Sequence, residues 1–474
     1  MHTHRHRISH RLTHIALVSG LFVLALVLRL WRIGVADLGN DECFSAYHAQ
    51  GSIGFIVSTL LRGDNPPLWE LLLHVWIWIV SISPVALRSL SALLSALTVV
   101  PLYAAGKRID STAGAIGVSL LFALSPLSLF LAHEARVYSL LGLLSATSML
   151  LFLRLAEASQ HKHRRICLVG LGACNLLLLY GHYLAAWVPL MQAALWLVVP
   201  RLRRALGRPF AVMLAAVALL FAPLLPFVWQ RLLTSGLAGT WIPRSQSVME
   251  LPQMLNFFWG RSYITLLVLL AGATAGALWA WRWLVQRNSN AQTALNHCAV
   301  WLTAMWAVPL VVSFALSYRT GFFLNRYFYF VAPPLLLSAI CYLRMLPWRW
   351  LSMALGGGLI ALMAINFEPD SCQLPYAARS TKTEQAVQQA MELSRSTGYP
   401  VVVHPHWLNL RVIYYFDSDH SLFRSLGSTD SPGRYRDSKM LQHFRTPGGQ
   451  RMSPAYPFIE LRQQGNGFRI KVFE

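Results

Sequence analysis

Long apolar runs, separated by short basic or polar segments, make up most of this chain. Each run can cross about 30 Å of hydrocarbon as a helix. The runs cover residues 15–31, 85–106, 112–131, 138–156, 166–181, 183–199, 209–229, 263–283, 299–318, 327–343 and 350–366. The pattern predicts an α-helical polytopic membrane protein with about eleven transmembrane helices (residues 15–366) and no internal repeat.

Clusters of Lys and Arg between these runs predict the orientation. With eleven spans and a cytoplasmic N-terminus, every cluster falls on the cytoplasmic side, as the positive-inside rule requires. The clusters are Arg5/Arg7/Arg11, Lys107/Arg108, Lys162/Arg164/Arg165, Arg201/Arg203/Arg204/Arg208, Arg282/Arg287 and Arg344/Arg349. No small-residue cleavage site follows the first run, which indicates a retained span. We expect a bacterial inner-membrane protein with residues 1–14 as a cytoplasmic basic tail.

The segment from Pro67 to Val80 is apolar enough to resemble a further span. It supplies only about 14 residues, fewer than a helix needs to cross a bilayer, and it carries Glu70 and His74. If it crossed the membrane, every later basic cluster would face outward. We therefore predict an interfacial or re-entrant helix, and a first outer loop (residues 32–84) that contains juxtamembrane helices.

Composition supports a membrane protein and argues against a nucleic-acid binder. Of the 474 residues, 55% are hydrophobic and 12% are charged, with a mean hydropathy of +0.47. Soluble proteins carry about 25% charged residues. The net charge of +21 could indicate nucleic acid, but the basic residues lie in inter-span clusters, so membrane topology explains them better.

The tail, residues 367–474, has a different pattern. Thr381 to Glu384 form a capping-box pattern that opens a helix running to about Arg395. A β-rich run follows at 401–403, and two alternating segments, 458–462 and 468–473, flank a turn typical of a hairpin. We predict a small extracytoplasmic α/β domain. Cys43 and Cys372 are both placed outside, where a disulfide is permitted but not required.

Polar residues at the outer ends of the spans are the candidates for chemistry, because ionisable groups near hydrocarbon are costly and are functional candidates by default. They are Asp41, Glu42, Asp64, Glu134, Arg136, Tyr138, His182, Tyr183, Arg326 and Tyr327. Under the predicted topology they converge on one side of the membrane.

The order and spacing of four sequence elements resemble the GT-C superfamily of integral-membrane glycosyltransferases. The nearest resemblance is to bacterial relatives of the dolichyl-phosphate-mannose protein mannosyltransferases (glycosyltransferase family 39) and to the lipid A aminoarabinose transferase. The elements are the Asp-Glu pair at 41–42, Asp-Asn-Pro-Pro-Leu-Trp at 64–69, Leu-Arg-Ser-Leu-Ser at 87–91 and Glu-Ala-Arg-Val-Tyr at 134–138. Asn65 departs from the more usual His, so no titrating imidazole stands there.

The resemblance implies sugar transfer with inversion from a polyprenyl-phosphate donor to a cell-envelope acceptor at the outer face. Asp41 would be the general base, with Glu42 as a supporting charge. Arg136 and Arg326 would stabilise the leaving phosphate. The remaining candidates would bind the sugar or lipid. They are Asp64, Glu134, Tyr138, His182, Tyr183 and Tyr327.

Structural roles compete with these assignments. Asp64 could be an N-cap before a helix that starts with proline, and Glu134 could pair with Arg136. Arg326 could be an interfacial anchor, and His182 a boundary histidine. No cofactor is expected, although Asp41, Glu42 and Glu134 could share a divalent metal.

The main alternative function is a multi-span lipid or glycolipid transporter or flippase, and a non-catalytic scaffold is a third. A transporter should show repeated halves or broken helices near the midplane, whereas this chain places its ionisable residues in outer turns. The acceptor could be a glycolipid, a polysaccharide or a protein hydroxyl, and neither it nor the sugar follows from the sequence.

Overall fold

The computed structural model describes residues 2–62, 65–157, 161–238, 242–285, 290–346, 348–367, 382–399, 401–404, 409–415, 457–464 and 467–473. The helices of the amino-terminal half are α1 His2–Leu30, α2 Asn40–Ala49, α3 Ile53–Arg62, α4 Leu68–Ile79, α5 Pro84–Leu97, α6 Val99–Ile109, α7 Thr112–Leu124, α8 Pro126–Ala132, α9 Tyr138–Glu157, α10 His161–Gly181, α11 Trp187–Val198 and α12 Pro200–Phe221. Those of the other half are α13 Leu225–Ala238, α14 Glu250–Trp259, α15 Ser262–Val285, α16 Asn290–Ser317, α17 Ala332–Met345, α18 Arg349–Ile365, α19 Thr383–Thr397 and α20 Asn409–Tyr414.

The helices confirm a polytopic α-helical protein. Among the described residues, seven helices are long and apolar enough to cross a membrane, or nine when each of two bent pairs counts as one span. Two further apolar helices, Tyr183–Val198 and Arg349–Ile365, are shorter and coincide with the remaining predicted runs. The total of eleven spans therefore stays a prediction.

The first outer loop folds into three short helices, α2 to α4. Helix α4 has 12 residues and is about 18 Å long, too short to cross the hydrocarbon. The indole of Trp69 donates to the carbonyl of Ala135 (3.0 Å), and that of Trp76 donates to the carbonyl of Ala86 (2.9 Å). These bonds tie α4 to the turn before α9 and to the start of α5.

A buried arginine stabilises the break between α7 and α8, which are bent by 58°. Pro126 has no N–H to continue the helical ladder, so carbonyls at the end of α7 lose their helical donors. The guanidinium of Arg29 donates to the carbonyls of Phe122 (3.2 Å) and Ala123 (3.3 Å) and to Ser95 Oγ (2.7 Å). Arg29 is thus buried in the first span with its donors satisfied.

Three buried polar side chains join α9, α10 and α11 in a closed ring. Ser148 Oγ donates to Asn175 Oδ1, the Asn175 amide donates to Gln192 Oε1, and the Gln192 amide donates back to Ser148 Oγ, at 2.8–2.9 Å. Each member is fully buried. Interhelical hydrogen bonds of this kind stabilise helix packing inside the bilayer, because the hydrophobic effect does not drive helices together in hydrocarbon.

The tail folds as its sequence pattern predicts. Strands β1 (Val401–His404), β2 (Phe458–Gln464) and β3 (Gly467–Phe473) form one sheet in that order. Strand β1 pairs parallel with β2, and β2 pairs antiparallel with β3 in the predicted hairpin. The predicted helix is present as α19, with Lys382 at its N-cap. Thr381 and Cys372 lie outside the described residues.

The tail packs against the first outer loop. The backbone N–H of Thr383 donates to Asp37 Oδ2 (2.8 Å). The Tyr415 hydroxyl accepts from the N–H of Leu38 (2.7 Å), and the Tyr414 hydroxyl donates to the carbonyl of Ile82 (2.8 Å). The carboxylate of Asp37 therefore accepts from the first turn of α19.

Candidate functional site

Helix α2 presents its two first-turn carboxylates in different directions. Consecutive helical residues are rotated by about 100°, so Asp41 and Glu42 cannot face the same surface. The side chain of Asp41 is 48% exposed, whereas that of Glu42 is 4% exposed. The two adjacent acids therefore have different environments and need separate assignments.

Glu42 is bound on both oxygens by internal donors. Its Oε1 accepts from Arg88 Nε (2.8 Å) and from the N–H of Ala135 (2.9 Å). Its Oε2 accepts from Arg88 Nη2 (2.8 Å) and from the N–H of Gly39 (2.7 Å), the residue at the N-cap of α2. Glu42 is thus a buried partner of Arg88, and its predicted role as a supporting charge beside Asp41 stays a prediction.

Arg88 also binds the segment of chain that precedes α2, and together with Glu42 it forms a clamp. It is fully buried and donates to the carbonyls of Ile33, Ala36 and Asp37 at 2.6–2.9 Å. Because the same guanidinium holds Glu42, the start of α2 is fixed to α5 and to the turn at 133–137. This clamp sets the position from which Asp41 projects.

Asp41 forms an ion pair with Arg326. Arg326 lies in the 3-10 segment Asn325–Val331 that leads into α17, and its Nη2 is 2.7 Å from Asp41 Oδ2. Its Nη1 is 4.0 Å from Glu134 Oε1. Burial raises the pKa of the Asp41 carboxyl, but Arg326 and Arg136 outweigh burial and leave this pKa below its ordinary value. Asp41 is therefore held as an ionised carboxylate.

Arg136 lies on the other side of Asp41, in the turn before α9. Its Nη1 donates to Ser45 Oγ (2.6 Å) and to the backbone carbonyl of Asp41 (3.2 Å). The same nitrogen is 3.7 Å from Glu70 Oε1. The residue is buried, and its Nε has no hydrogen-bond partner among the described residues. Two buried arginines thus flank one half-exposed carboxylate.

Three rings line the site around Arg326. The guanidinium carbon of Arg326 is 5.7 Å from the ring centroid of Tyr138 and 5.9 Å from that of Tyr327, which suits cation–π attraction. The His182 ring is 5.0 Å from Tyr327 and 6.5 Å from Tyr138. The rings hold the guanidinium in place and give the site an apolar wall.

His182 supplies a neutral donor. Its Nδ1 accepts the N–H of Leu184 (3.2 Å) at the start of a 3-10 helix. Burial lowers the pKa of His182 to about 4, aided by the charges of Arg136 and Arg326. A neutral imidazole that accepts at Nδ1 carries its proton on Nε2, so Nε2–H is available to donate to a ligand near neutral pH.

The structure therefore brings together most of the predicted site residues. These are Asp41, Glu134, Arg136, Tyr138, His182, Arg326 and Tyr327. Tyr183 follows His182 as the half-buried first residue of the 3-10 helix. Asp64 lies outside the described residues, so its assignment stays a prediction.

Sequence reasoning assigned no role to three side chains that build the site, namely Ser45, Glu70 and Arg88. Glu70 and Arg88 could have been noticed from the sequence, because each is a single charge in an apolar segment. Their partners lie 25 or more positions away in the chain, so local pattern could not identify the pairs. Ser45 gave no such signal.

A divalent cation shared by Asp41, Glu42 and Glu134 is not favoured by this geometry. The Glu42 oxygens are occupied by Arg88 and by backbone donors. Within the described parts of the chain, no group of three or more His, Cys, Asp or Glu residues is placed to hold a metal ion.

Two solved proteins have a similar architecture. ArnT from Cupriavidus metallidurans bound to undecaprenyl phosphate is 16% identical and matches over 88% of this chain and 78% of that chain, with a TM-score of 0.51. The oligosaccharyltransferase from Archaeoglobus fulgidus in the apo form is 13% identical and matches over 86% of this chain, with a TM-score of 0.53. The match covers 64% of the archaeal chain, less than two thirds.

The chain shares the fold of these two solved proteins. The fold expected from the sequence elements at 41–42, 64–69, 87–91 and 134–138 is thus confirmed. No family model matches the sequence, and no curated protein matches it. The narrower likeness to glycosyltransferase family 39 stays a prediction.

Within this shared fold, the cluster lies where the first outer loop meets the ends of the spans. Asp41 comes from α2, Arg136 from the turn before α9, and Arg326 from the segment before α17. Three distant parts of the chain therefore supply one site. The tail packs against that same loop through Asp37 and Leu38.

Proposed function

We propose that this protein is a membrane glycosyltransferase that moves a sugar from a polyprenyl-phosphate donor to a hydroxyl of a cell-envelope acceptor. The observation that carries the proposal is the half-exposed carboxylate of Asp41 between two buried arginines, Arg326 and Arg136. Such a site joins a base for an incoming hydroxyl to cations for a leaving phosphate. The similar fold of ArnT bound to undecaprenyl phosphate supports a lipid-linked phosphate donor.

The proposed reaction is a single displacement at the anomeric carbon of the sugar. The acceptor oxygen forms a bond to that carbon while the carbon–oxygen bond to the phosphate breaks, and the configuration inverts. The acceptor proton passes to Asp41, and the bonding electrons leave with the phosphate. Arg326 and Arg136 neutralise the charge that develops on the phosphate oxygens, which is where electrostatic stabilisation contributes most.

The other residues of the cluster bind the donor in this proposal. The Nε2–H of His182 donates to a phosphate or sugar oxygen without adding charge. Tyr138 and Tyr327 form the wall against which the sugar lies, and Glu134 lies near the oxocarbenium-like centre. Glu42 acts through the position of α2 and does not touch the substrate.

An assay of sugar transfer in detergent solution distinguishes a glycosyltransferase from a transporter or flippase. Detergent micelles have no two sides, so only an enzyme can give a covalent product there. The purified protein is incubated with radiolabelled polyprenyl-phosphate sugars and an extract of envelope acceptors, and labelled acceptor is measured. We expect label transfer by the wild type and none by Asp41→Asn. Absence of transfer by the wild type, together with movement of the lipid across vesicles, would support the transporter.

We also propose that the site faces the outside of the inner membrane, with the N-terminus in the cytoplasm. The basic clusters support this orientation through the positive-inside rule. Single cysteines at exposed Arg203 and exposed Arg395, in a cysteine-free background, test it with a membrane-impermeant thiol reagent on intact spheroplasts. We expect the cysteine at 395 to be labelled and the cysteine at 203 to be protected. The reverse pattern would show that the orientation is opposite to the one proposed.

A further inference from the structure

Glu70 is a buried acid whose presence the proposed reaction does not explain. It lies in α4 among apolar residues and is 1% exposed. Its Oε1 accepts a hydrogen bond from Ser45 Oγ (2.7 Å). Its Oε2 is buried and has no hydrogen-bond partner among the described residues. A buried carboxylate oxygen without a donor is costly, so the residue needs a reason to be there.

Ser45 connects Glu70 to Arg136. The hydroxyl of Ser45 has a single proton, which it gives to Glu70 Oε1. The same oxygen accepts from Arg136 Nη1 at 2.6 Å. The serine therefore orders a chain from the guanidinium through the hydroxyl to the carboxyl group. This chain of hydrogen bonds fixes one end of Arg136.

The two buried glutamate–arginine pairs of the site differ in kind. Glu42 contacts Arg88 through both oxygens at 2.8 Å, a bidentate pair that neutralises the arginine internally. Glu70 stays 3.7 Å from Arg136 and is bridged by a hydroxyl. Arg136 therefore keeps donor capacity and charge for a ligand, whereas Arg88 does not.

Burial also affects the ionisation of Glu70. Burial raises the pKa of the Glu70 carboxyl, whereas Arg136 and Ser45 lower it. Burial has the larger effect, so this pKa lies above its ordinary value. The role of Glu70 toward Arg136 therefore rests on the hydrogen bond from Ser45 and not on a close ion pair.

We infer that Glu70 is a positioning residue of the donor site: with Ser45 it holds the guanidinium of Arg136 in the place where it can meet a phosphate oxygen. The inference rests on the proposed function, since it assumes that the ligand is a lipid-linked phosphate. Glu70 acts through Arg136 and does not itself touch the donor.

The test is phosphate-specific binding, which a merely structural residue would not alter selectively. Wild type, Glu70→Gln, Glu70→Ala and Ser45→Ala are purified into nanodiscs, and the affinities for undecaprenyl phosphate and for undecaprenol are measured. Gln keeps the shape of Glu and an oxygen that can accept from Ser45. We expect Glu70→Gln to stay within about threefold of wild type for the phosphate, and Glu70→Ala and Ser45→Ala to lose about tenfold, as when a hydrogen bond to a charged group is lost. Undecaprenol binding should be unchanged in all four.

Two results would overturn the inference. One is wild-type phosphate affinity in Glu70→Ala, and the other is a loss in Glu70→Gln as large as in Glu70→Ala, which would mean that a negative charge is required. If Glu70→Ala does not fold, the near-isosteric Glu70→Gln and Ser45→Ala still decide the matter. A wild type that does not distinguish undecaprenyl phosphate from undecaprenol would refute the proposed function itself, so the two failures are separable.

Discussion

Arg326 Nη2 donates to Asp41 Oδ2 at 2.7 Å, across 285 positions of sequence. Arg326 is almost fully buried, while the Asp41 side chain remains half exposed. In the ligand-free protein, the proposed base is thus held by a cation that is also proposed to bind the leaving phosphate. A donor phosphate that engages Arg326 would weaken its hold on Asp41 and make the carboxylate a stronger base.

Replacing Asp41 by Asn should abolish sugar transfer while leaving the protein folded. The amide keeps the shape of the side chain but cannot take the acceptor proton. General-base catalysis contributes roughly 10²- to 10⁴-fold, so a fall in kcat of that size is expected. Labelled-acceptor formation measures it.

Asp110→Asn is the matched control for this change. Asp110 is a carboxylate paired with Arg344 (3.5 Å) at the end of α6, outside the cluster around Asp41. Its substitution should leave transfer near the wild-type rate. Equal activity of Asp41→Asn and wild type would remove Asp41 from the mechanism.

Replacing Arg326 by Gln should shift the acid side of the pH–rate profile. In the wild type, Arg326 helps to hold the pKa of Asp41 below its ordinary value, so kcat/KM should persist as the pH falls through the usual aspartate range near 4. Without Arg326, burial raises the pKa of Asp41, and activity should fall at a higher pH. An acid limb that does not move would show that Asp41 is not the titrating group.

The Glu42–Arg88 pair should behave as a structural element. Removing one partner of a buried pair leaves an uncompensated charge, which costs about 3–5 kcal/mol. Glu42→Leu and Arg88→Met should each lower the Tm in detergent. The double variant should regain part of the loss, because it leaves no buried charge. A Glu42→Gln protein with wild-type Tm and no activity would instead indicate a direct catalytic role.

The contact between the tail and the first outer loop should contribute to the site. Tyr415→Phe removes only the hydroxyl that accepts from the N–H of Leu38, a loss of about 1 kcal/mol. Loosening this loop should lower kcat more than donor affinity, because Asp41 follows Leu38 by three residues. Tyr399→Phe is the control, because half-buried Tyr399 lies in the same tail, just after the end of α19. Identical kcat values for Tyr415→Phe and Tyr399→Phe would show that this contact of the tail does not contribute to catalysis.

Sequence pattern predicted the elements of this fold better than the pairs within its site. Apolar periodicity gave the spans, the short α4 and the β2–β3 hairpin, because each depends on neighbours in sequence. Apolar periodicity could not tell the role of Asp41 from that of Glu42, because the difference depends on which of the two acids contacts Arg88 of α5. Glu70 is visible in the sequence as a charge in an apolar segment. Its link to Arg136 is not visible, because it runs through Ser45 on another helix.

The bond between Leu38 and Tyr415 joins residues 377 positions apart. The ribosome synthesises Leu38 well before Tyr415. Until Tyr415 has been synthesised and has folded against the loop, the segment that carries Asp41 lacks one of its supports. A chain that is terminated before Tyr415 should therefore have a poorly assembled site.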